Sequence, residues 1–402
     1  MAYKRSAAIA NAIISLESSF PNNCTRFTLN HLTAQDNQLV PFVRISTGGK
    51  DKVGVLFTGG IHPRELAPPD ALLAFCLQLL TALTNGSDII YPRFTDASGA
   101  VYDEYVIQNA TINAILDKCE LYVVPCANPD GRDFVLASSA QQNMMWRKNR
   151  RPDPQCPGVD INRNFPIVWD QDIYFSAAAA PKAHTSKNPC NESFRGYTFA
   201  PPPLGPAIEP ETQNLIELIT QNGITYLVDL HMFGRLILYP WGIEQNQSND
   251  PTKNFLNPTF NFQRDGVVPN TTYAEYIPDN LIDARGQLLS RHQTLASAMA
   301  TAITTSAGSN ATSIQRSTYT TQQAAFLYPT TGAIDDFVFS QQFINLTLPN
   351  MHAFTIEAGF KRGQNPADPA DDDGEFWPDS ATQYPKVERE IHAALFGLLT
   401  AV

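Results

Sequence analysis

Residues 53–65 read VGVLFTGGIHPRE, and together with the residues that follow they indicate the class of fold. A mostly apolar run at 53–58 ends at two glycines, and a helical spacing of apolar residues then runs from 68 to 83, with proline at its start. A short buried strand, a glycine turn and a helix form the repeating unit of a sheet that is covered by helices. His62 and Glu65 are therefore expected on the turn that leaves the edge of a sheet.

The same alternation of strands and helices continues on both sides of this unit. Strands are predicted at Leu39–Ser46, Leu121–Pro125, Tyr226–His231, Leu236–Tyr239 and Phe354–Glu357, and amphipathic helices at Met1–Leu16 and Lys386–Leu399. The glycine-rich residues 48–51 predict a turn that pairs the strand before them with the strand at 53–58. No repeat or linker interrupts the pattern, so we predict one α/β domain over residues 1–402, with helices on both faces of the sheet.

The composition argues against two classes of partner. The chain has 402 residues and a net charge of -11, with no Lys/Arg run that would attract a phosphate backbone, so we expect no nucleic-acid partner. No uninterrupted apolar stretch reaches the roughly 20 residues that cross a bilayer, so we expect no membrane partner. The basic start of the chain resembles a signal peptide, but Asn11 interrupts its apolar run and no small-residue cleavage site follows.

Cysteines and glycosylation sequences bear on the cellular compartment. The six cysteines allow many pairings, and only Cys76 has a clear setting, an apolar helical run that predicts a buried thiol. Eight Asn-x-Ser/Thr sequences favour a secretory origin. A Thr/Asn-rich surface without glycans explains the same sequences equally well.

Three residues with metal or acid–base chemistry lie where predicted strands end. His62 follows one strand, His231 ends a second and Glu357 ends a third, and sites of α/β sheets form at such carboxyl ends. His62 and Glu65 both suit zinc, and His231 would supply the third protein ligand that a catalytic zinc needs. The His–Glu spacing alone is close to a chance event, and a buried, hydrogen-bonded core histidine is the alternative reading of His231.

Six motifs in order resemble the M14 family of zinc carboxypeptidases, of the pancreatic carboxypeptidase A/B type. They are His62-Pro63-Arg64-Glu65, Trp146-Arg147-Lys148, Val159–Asn164, Leu230-His231 with Leu236–Gly242, Tyr328–Gly332 and Phe354–Glu357. The resemblance runs from the first helix to the last. It implies a mixed, twisted sheet of about eight strands, and one zinc ion held by His62, Glu65 and His231. It also implies no N-terminal pro-domain, because the first helix matches the start of the enzyme itself.

The same resemblance implies the catalytic roles. Glu357 would act as the general base that takes a proton from the attacking water and delivers it to the leaving amine. Arg147 would stabilise the oxyanion. The alternatives are a salt-bridged carboxylate at Glu357 and an ordinary solvated basic loop at residues 147–151.

The resemblance also implies how a chain end would be recognised. Asn162 and Arg163 would bind the terminal carboxylate of the substrate, for which a guanidinium is well suited. Tyr328 would cover that carboxylate, and Arg64 would assist in substrate binding.

Two supporting features complete the resemblance. Asp160 would orient the metal-bound His62 from behind. Cys156 and Cys190 match the disulfide partners of the family, and a disulfide suits an oxidising compartment. We therefore expect a secreted protein, with a cytoplasmic location left open.

The seventh residue after Tyr328 is Asp335, which matches the floor of the pocket for the C-terminal side chain. An acid there favours C-terminal Lys or Arg, the B-type preference, although Ile334 and Ala333 depart from the family pattern. We therefore predict a monomeric, zinc-dependent metallocarboxypeptidase whose partners are peptide or protein C-termini. The alternatives are an A-type preference for apolar C-termini, an amidase for N-acyl amino acids, and a zinc- or peptide-binding pseudoenzyme.

Overall fold

A computed structural model of the protein describes residues 3–96, 99–137, 143–198, 206–266, 273–278, 280–282, 288–359, 376–378 and 383–402. Within these residues the strands are β1 (Cys24–Thr28), β2 (Pro41–Ile45), β3 (Val53–Gly59), β4 (Ile89–Tyr91), β5 (Phe94–Thr95), β6 (Val101–Tyr102), β7 (Tyr105–Ile107), β8 (Cys119–Val124), β9 (Ile224–Met232), β10 (Leu236–Tyr239), β11 (Gln247–Ser248), β12 (Glu275–Tyr276), β13 (Asn280–Ile282), β14 (Leu288–Ser290), β15 (Thr320–Gln323) and β16 (His352–Ala358).

The helices of the same residues are α1 (Ser6–Ser19), α2 (Ala67–Asn85), α3 (Asn109–Lys118), α4 (Pro129–Ala137), α5 (Gln171–Tyr174), α6 (Pro210–Gln221), α7 (Arg291–Ser306), α8 (Ala311–Arg316), α9 (Ile334–Ile344) and α10 (Tyr384–Ala401). Short 3-10 turns lie at Ile161–Arg163, Ala180–Lys182, Pro258–Phe260 and Ala324–Phe326.

One mixed sheet of eight strands organises the fold, in the order β1-β2-β8-β3-β9-β16-β10-β15. The central strands β8, β3, β9 and β16 are mutually parallel, whereas β2 and β10 join them in antiparallel pairs. Central parallel strands are covered on both faces and therefore carry nearly continuous apolar runs. This explains why their sequences predict them well. The predicted class, a single α/β domain with a mixed sheet of about eight strands, is confirmed.

The expected pairing of β2 with β3 is wrong. The chain does reverse between the two strands, but β8 lies between them and pairs with both. Val43 lies opposite Val123, and Val55 lies opposite Leu121. A glycine turn encodes a reversal of the chain but not adjacency of the strands. The fully buried apolar run of β8 takes the position between them.

Helices cover both faces of the sheet, as predicted. One apolar core contains residues of α1, α2, α3, α7 and α10 with one face of the central strands, and a second core contains residues of α6 and α9 with the other face. The helix that closes the chain is buried along most of its length, since it lies against α7 and α2. The central strands are therefore held rigidly from both sides, and their carboxyl ends are fixed relative to one another.

Helix α2 is long and apolar enough to span a membrane by length and composition, with a mean hydropathy of 1.3 over 18 of its residues. However, 67% of that window is buried inside the protein, which is typical of a core helix. Prolines occupy its first turn and Gly86 ends it in the left-handed region, at a φ of 62°. Asp70 of its first turn is buried and forms an ion pair with the buried Arg132.

Cys156 and Cys190 form a disulfide, as the resemblance implied. The other four cysteines are free and buried, at positions 24, 76, 119 and 126. The prediction of a buried thiol at Cys76 is confirmed.

Candidate metal and substrate-binding site

Three adjacent parallel strands bring the candidate chemistry together. Strand β9 lies between β3 and β16, and Glu357 of β16 is in register with His231 of β9. On the other side, Gly59 at the end of β3 is in register with Leu230, and the turn after it carries His62 and Glu65. Residues separated by up to 295 positions therefore meet at one edge of the sheet, where sites of such folds form.

His62, Glu65 and His231 form a compact, buried cluster. Potential ligand atoms of all three lie within 4.8 Å of one another. One carboxylate oxygen of Glu65 is 2.9 Å from Nδ1 of His62, and the other is 3.0 Å from Nδ1 of His231. The two Nδ1 atoms are themselves 3.0 Å apart. All three side chains are almost fully excluded from solvent.

The hydrogen bonds behind the cluster determine which atoms face its centre. Nε2 of His62 is 3.1 Å from Asp160 Oδ1, and Nε2 of His231 is 2.5 Å from Asp229 Oδ2. A carboxylate accepts only from a protonated nitrogen, so each Nε2 carries the proton and each Nδ1 presents a lone pair. Two lone pairs and the Glu65 carboxylate thus converge on one point. This donor set fits a divalent cation such as zinc.

The charges of the cluster determine the ionisation of its carboxylate. Burial opposes ionisation of Glu65, but His62 and His231 beside it lower the pKa of that carboxyl below its usual range. Burial likewise opposes a charged imidazole at His231, but Asp229 and Glu65 raise the pKa of His231, so in the metal-free protein a proton competes with a metal ion for its Nδ1 atom. Glu65 therefore remains ionised inside the protein, which a metal ligand requires.

Asp229 is a member of the site that sequence reasoning missed. It precedes His231 by two residues on β9, and residues two apart in a strand point to the same face. Its second oxygen accepts a hydrogen bond of 2.6 Å from Thr58 Oγ1, so the buried carboxylate is partnered on both sides. The Asp-x-His spacing on a predicted strand was the available signal.

Most of the predicted residues line one recess in front of the cluster. They are His62, Arg147, Asn162, Arg163, His231, Tyr328, Asp335 and Glu357. Glu357 is partly buried beside His231, and burial raises the pKa of its carboxyl to about 7. Arg147 is held by its Nε atom, which donates to Asp160 Oδ2 at 2.8 Å. The recess therefore combines the metal cluster with an acid–base group and a cation.

One end of the recess is suited to an anion. Arg163 donates from Nε to the carbonyl oxygen of His184 at 2.7 Å and from Nη1 to the carbonyl oxygen of Asn162 at 2.5 Å. Asn162 Oδ1 in turn accepts from the backbone N–H of Ile334 at 2.9 Å. These contacts fix the direction of the guanidinium. Among the described residues, none forms an ion pair with Arg163, so its positive charge is available to a ligand.

Asp335 lies at the wall of the same recess and is buried. Its Oδ1 accepts a hydrogen bond of 3.0 Å from the backbone N–H of Asp336, in the first turn of α9. Burial, followed by the nearby charge of Asp229, raises the pKa of Asp335. No ion pair joins Asp335 to a cation within the part of the chain that the structure describes.

Arg64 lines a second cleft, which shares Arg147, Tyr328 and Glu357 with the recess. Its guanidinium pairs with Glu192 at 3.0 Å and lies over the ring of Phe376, 4.5 Å from the centroid. The cleft therefore adjoins the recess through these three shared residues.

His184 is a second residue that sequence reasoning missed. It lies in a proline-containing loop. In the structure its ring stacks on Tyr328, with the centroids 4.4 Å apart. No local sequence pattern signals this contact, since the two residues come together only through the tertiary fold.

Comparisons with known proteins identify the family of the chain. A model of the Peptidase_M14 family, described as zinc carboxypeptidase, matches residues 9–382. Metallocarboxypeptidase A of Trichophyton tonsurans is 30% identical over 213 residues, which cover 52% of this chain and 41% of that protein. Carboxypeptidase A4 of Mus musculus is 28% identical over 253 residues, which cover 62% of this chain and 49% of that protein. The chain thus spans about half the length of the curated relatives it matches.

Solved structures show the same fold. The crystal structure of thrombin activatable fibrinolysis inhibitor superposes with a TM-score of 0.64 and 17% identity, over 99% of this chain and 73% of that chain. Carboxypeptidase A of Helicoverpa armigera superposes with a TM-score of 0.60 and 18% identity, over 99% of this chain and 72% of that chain. With a family model that matches nearly its whole length, the chain belongs to the M14 family of zinc carboxypeptidases.

Proposed function

We propose that this protein is a zinc-dependent carboxypeptidase that hydrolyses the C-terminal peptide bond of peptides, with a preference for C-terminal Lys or Arg. The observation that carries the proposal is the shared recess. It holds the candidate metal ligands, a carboxyl at Glu357 that can exchange protons, an oriented guanidinium at Arg163 and a buried acid at Asp335. These are the parts that cleavage of a terminal bond beside a basic side chain requires.

His62, Glu65 and His231 would hold the zinc ion, through the two Nδ1 atoms and the Glu65 carboxylate. Bound zinc lowers the pKa of a coordinated water and polarises a carbonyl oxygen. Asp160 and Asp229 keep both imidazoles in the tautomer that presents Nδ1.

Glu357 is placed to move the protons of the reaction. Because burial raises the pKa of its carboxyl to about 7, Glu357 can both accept and release a proton near neutral pH. As a carboxylate it accepts a proton from the attacking water at a side-chain oxygen. It then delivers that proton to the nitrogen of the leaving amine.

Arg147 is placed to stabilise the charge that develops on the scissile carbonyl oxygen. Its Nε atom is occupied by Asp160, which orients the guanidinium and leaves its terminal amino groups for the substrate. A preoriented donor of this kind needs no reorganisation during the reaction.

Arg163 and Asn162 would bind the terminal carboxylate, and Tyr328 would cover it. A guanidinium whose Nε is already bound to the His184 carbonyl cannot turn away, so a carboxylate meets it in one orientation. This gives the site its preference for chain ends, since an internal residue has no carboxylate to offer.

Asp335 supports the preference for basic residues. A buried carboxylate without a cationic partner in the described chain is stabilised by a Lys or Arg side chain that enters the recess. Leu238 and Ala324 line the same recess and offer apolar surface to the aliphatic stem of such a side chain. An A-type preference for apolar C-termini is the second candidate, since the relatives include carboxypeptidases named as type A.

The disulfide supports a role outside the reducing cytosol. The Cys156–Cys190 bond closes the loop that follows Arg163, and such bonds persist in oxidising compartments. We therefore propose a secreted, monomeric enzyme.

The test is hydrolysis of acylated dipeptides that end in Arg, Lys, Phe or Leu, with and without a chelator. We expect cleavage of the Arg and Lys peptides, loss of activity with the chelator and recovery with zinc. Asp335→Asn should reduce kcat/KM for the basic peptides and leave the Leu peptide nearly unchanged. Activity that resists the chelator, or no activity after zinc is restored, would overturn the proposal. A preference for Phe or Leu would support the A-type alternative, and faster cleavage of N-acetyl amino acids would support an amidase.

A further inference from the structure

The backbone of His184 joins the two elements that would recognise a terminal carboxylate. Its N–H donates to the carbonyl oxygen of Pro329 at 2.7 Å, next to Tyr328. Its carbonyl oxygen accepts from Nε of Arg163, also at 2.7 Å. The neighbouring Thr185 Oγ1 accepts from the backbone N–H of Thr331 at 3.0 Å. The loop is therefore fixed against both the arginine and the tyrosine segment.

The ring of His184 adds a contact that the backbone alone would not provide. It stacks on the ring of Tyr328 at 4.4 Å, with an interplanar angle of 28°. On its edge, Nδ1 is 3.1 Å from Ser193 Oγ and 3.5 Å from Nη2 of Arg163. The imidazole thus lies between the tyrosine and the arginine and touches both.

The stacked position places Tyr328 inside the site. Tyr328 lines the recess and the adjoining cleft together with Arg147. His184 therefore supports the tyrosine from the side of the loop.

The state of the imidazole suits this contact. Partial burial, and then the charges of Arg163 and Arg147, lower the pKa of His184 to about 4. The ring is consequently neutral at physiological pH. A neutral ring can accept a hydrogen bond from Ser193 at Nδ1 and stack on a phenol, and it adds no positive charge beside Arg163.

We propose that His184 is a positioning residue for recognition of the substrate carboxylate, because its ring holds Tyr328 in place beside Arg163. This inference rests on the proposed carboxypeptidase function. A side chain that is already ordered does not lose its freedom when the ligand binds, so the expected effect is on binding rather than on the chemical step. His184 touches neither the metal cluster nor Glu357, which agrees with a role outside catalysis.

The test compares three variants of the zinc-loaded full chain. His184→Ala removes the ring, whereas His184→Phe keeps a ring that can stack on Tyr328; both retain the backbone bonds of residue 184. Lys187→Ala, at an exposed position of the same loop, is the matched control. KM and kcat are measured on an acylated dipeptide with a free terminal carboxylate and on the same peptide as its terminal amide. Binding of Nα-acetyl-arginine is measured by calorimetry, and the midpoint of thermal unfolding checks the fold.

We expect His184→Ala to raise KM for the free acid about threefold to tenfold, with kcat within about twofold, since ordering of one side chain has this size of effect. Nα-acetyl-arginine should bind more weakly by the same factor, and the preference for the acid over the amide should fall. His184→Phe should restore most of the loss, and Lys187→Ala should behave as the parent.

An unchanged or lower KM in His184→Ala would overturn the role of His184, and so would a His184→Phe variant that binds as weakly as His184→Ala. A parent protein that binds Nα-acetyl-arginine through His184 but cleaves no peptide would refute the proposed function alone. A parent that does not bind this ligand would overturn both.

Discussion

Replacement of Asp229 by Ala should weaken metal binding, although Asp229 is not itself a predicted ligand. Its carboxylate is fully buried and holds Nε2 of His231 at 2.5 Å. Without it, the imidazole can protonate Nδ1 instead of Nε2 and can rotate, so the lone pair no longer faces the cluster. Loss of such a carboxylate partner typically lowers metal affinity by about 10- to 100-fold.

The structure also sets the size of the effect on stability. Removal of the carboxylate leaves both Nε2 of His231 and Oγ1 of Thr58 without their partner inside the protein. A buried polar group that loses its partner costs about 1–3 kcal/mol. We therefore expect the metal-free Asp229→Ala variant to be about 2–4 kcal/mol less stable, since the two groups share one cavity and their costs do not simply add.

Two further variants separate these effects. Asp229→Asn keeps an acceptor but removes the charge, so its loss of affinity should be near the lower limit of about tenfold. Thr58→Val breaks only the 2.6 Å bond to Asp229 and leaves the Asp229–His231 pair intact. Its metal affinity should stay within about threefold of the parent, since the imidazole remains oriented.

Competition with a chromophoric zinc chelator gives the affinities, and thermal unfolding with and without zinc gives the linked stability. Nitrogen NMR of the metal-free histidines reports the tautomer of His231 directly. If Asp229→Ala bound zinc as tightly as the parent, the assignment of Nδ1 as the metal-facing atom of His231 would be wrong. Equal losses in Thr58→Val and Asp229→Ala would point to a general disturbance of the strand instead.

Three other outcomes follow from single features of the structure. Arg163→Ala should raise KM for peptides with a free carboxylate by about tenfold or more, because a hydrogen bond to a charged group contributes about 1.5–3 kcal/mol; steady-state kinetics with an unchanged KM would refute its role. Burial raises the pKa of Glu211 from 4.5 to about 7, so the folded state binds a proton that the unfolded state has released. The stability that this proton contributes is present below about pH 4.5 and is lost as pH rises towards 7. The free energy of urea unfolding of Glu211→Gln should therefore not fall over this pH range as that of the parent does. A variant with the same pH profile as the parent would contradict the role of Glu211. Replacing Cys156 and Cys190 by Ser opens a loop of 34 residues and should lower stability by about 4 kcal/mol, as seen in denaturant midpoints, whereas a change under about 1 kcal/mol would argue against the chain-entropy account.

The elements that sequence reasoning identified best are those whose burial determines their composition. The strand predicted at Leu236–Tyr239 is β10 with the same bounds, and the helix predicted at 68–83 is α2 shortened by one residue at its start and two at its end. Both bury an apolar surface, so their periodicity is strong. The pairing of strands is harder to predict, since it depends on which strand occupies each position in the sheet. The insertion of β8 between β2 and β3 could not be read from either strand or from the turn between them.

The short hairpin pairs were missed for a related reason. Strands β4 and β7 have three residues each and pair across 13 intervening residues, and β5 and β6 have two residues each. Segments of this length contain too few residues to establish a period. They lie away from the recess, so the site could be predicted without them.

The site residues divide in the same way. His62, Glu65, His231 and Glu357 carry a local signal, because each lies at the end of a buried strand or on the turn that follows it. Asp229 carried a weaker signal of the same kind, whereas His184 acquires its contacts only from the path of a long loop. A contact of this type depends on the tertiary fold, and no window of sequence contains it.

Asp160 explains why the metal cluster and the proposed oxyanion arginine belong to one arrangement. Its Oδ1 accepts from His62 Nε2, and its Oδ2 accepts from Arg147 Nε. Burial opposes its ionisation, but Arg147 and then His62 lower the pKa of this carboxyl well below its usual range. Loss of Arg147 would leave the charge of this buried carboxylate without its cation, and loss of His62 would leave one of its oxygens without that hydrogen bond, so either change destabilises the arrangement. The direction of the imidazole and the direction of the guanidinium are therefore set by the same two oxygen atoms. The motifs at His62 and Arg147 lie about 85 residues apart in the chain and consequently constrain each other. For this reason the ordered set of motifs indicates one functional unit, although each motif alone indicates little.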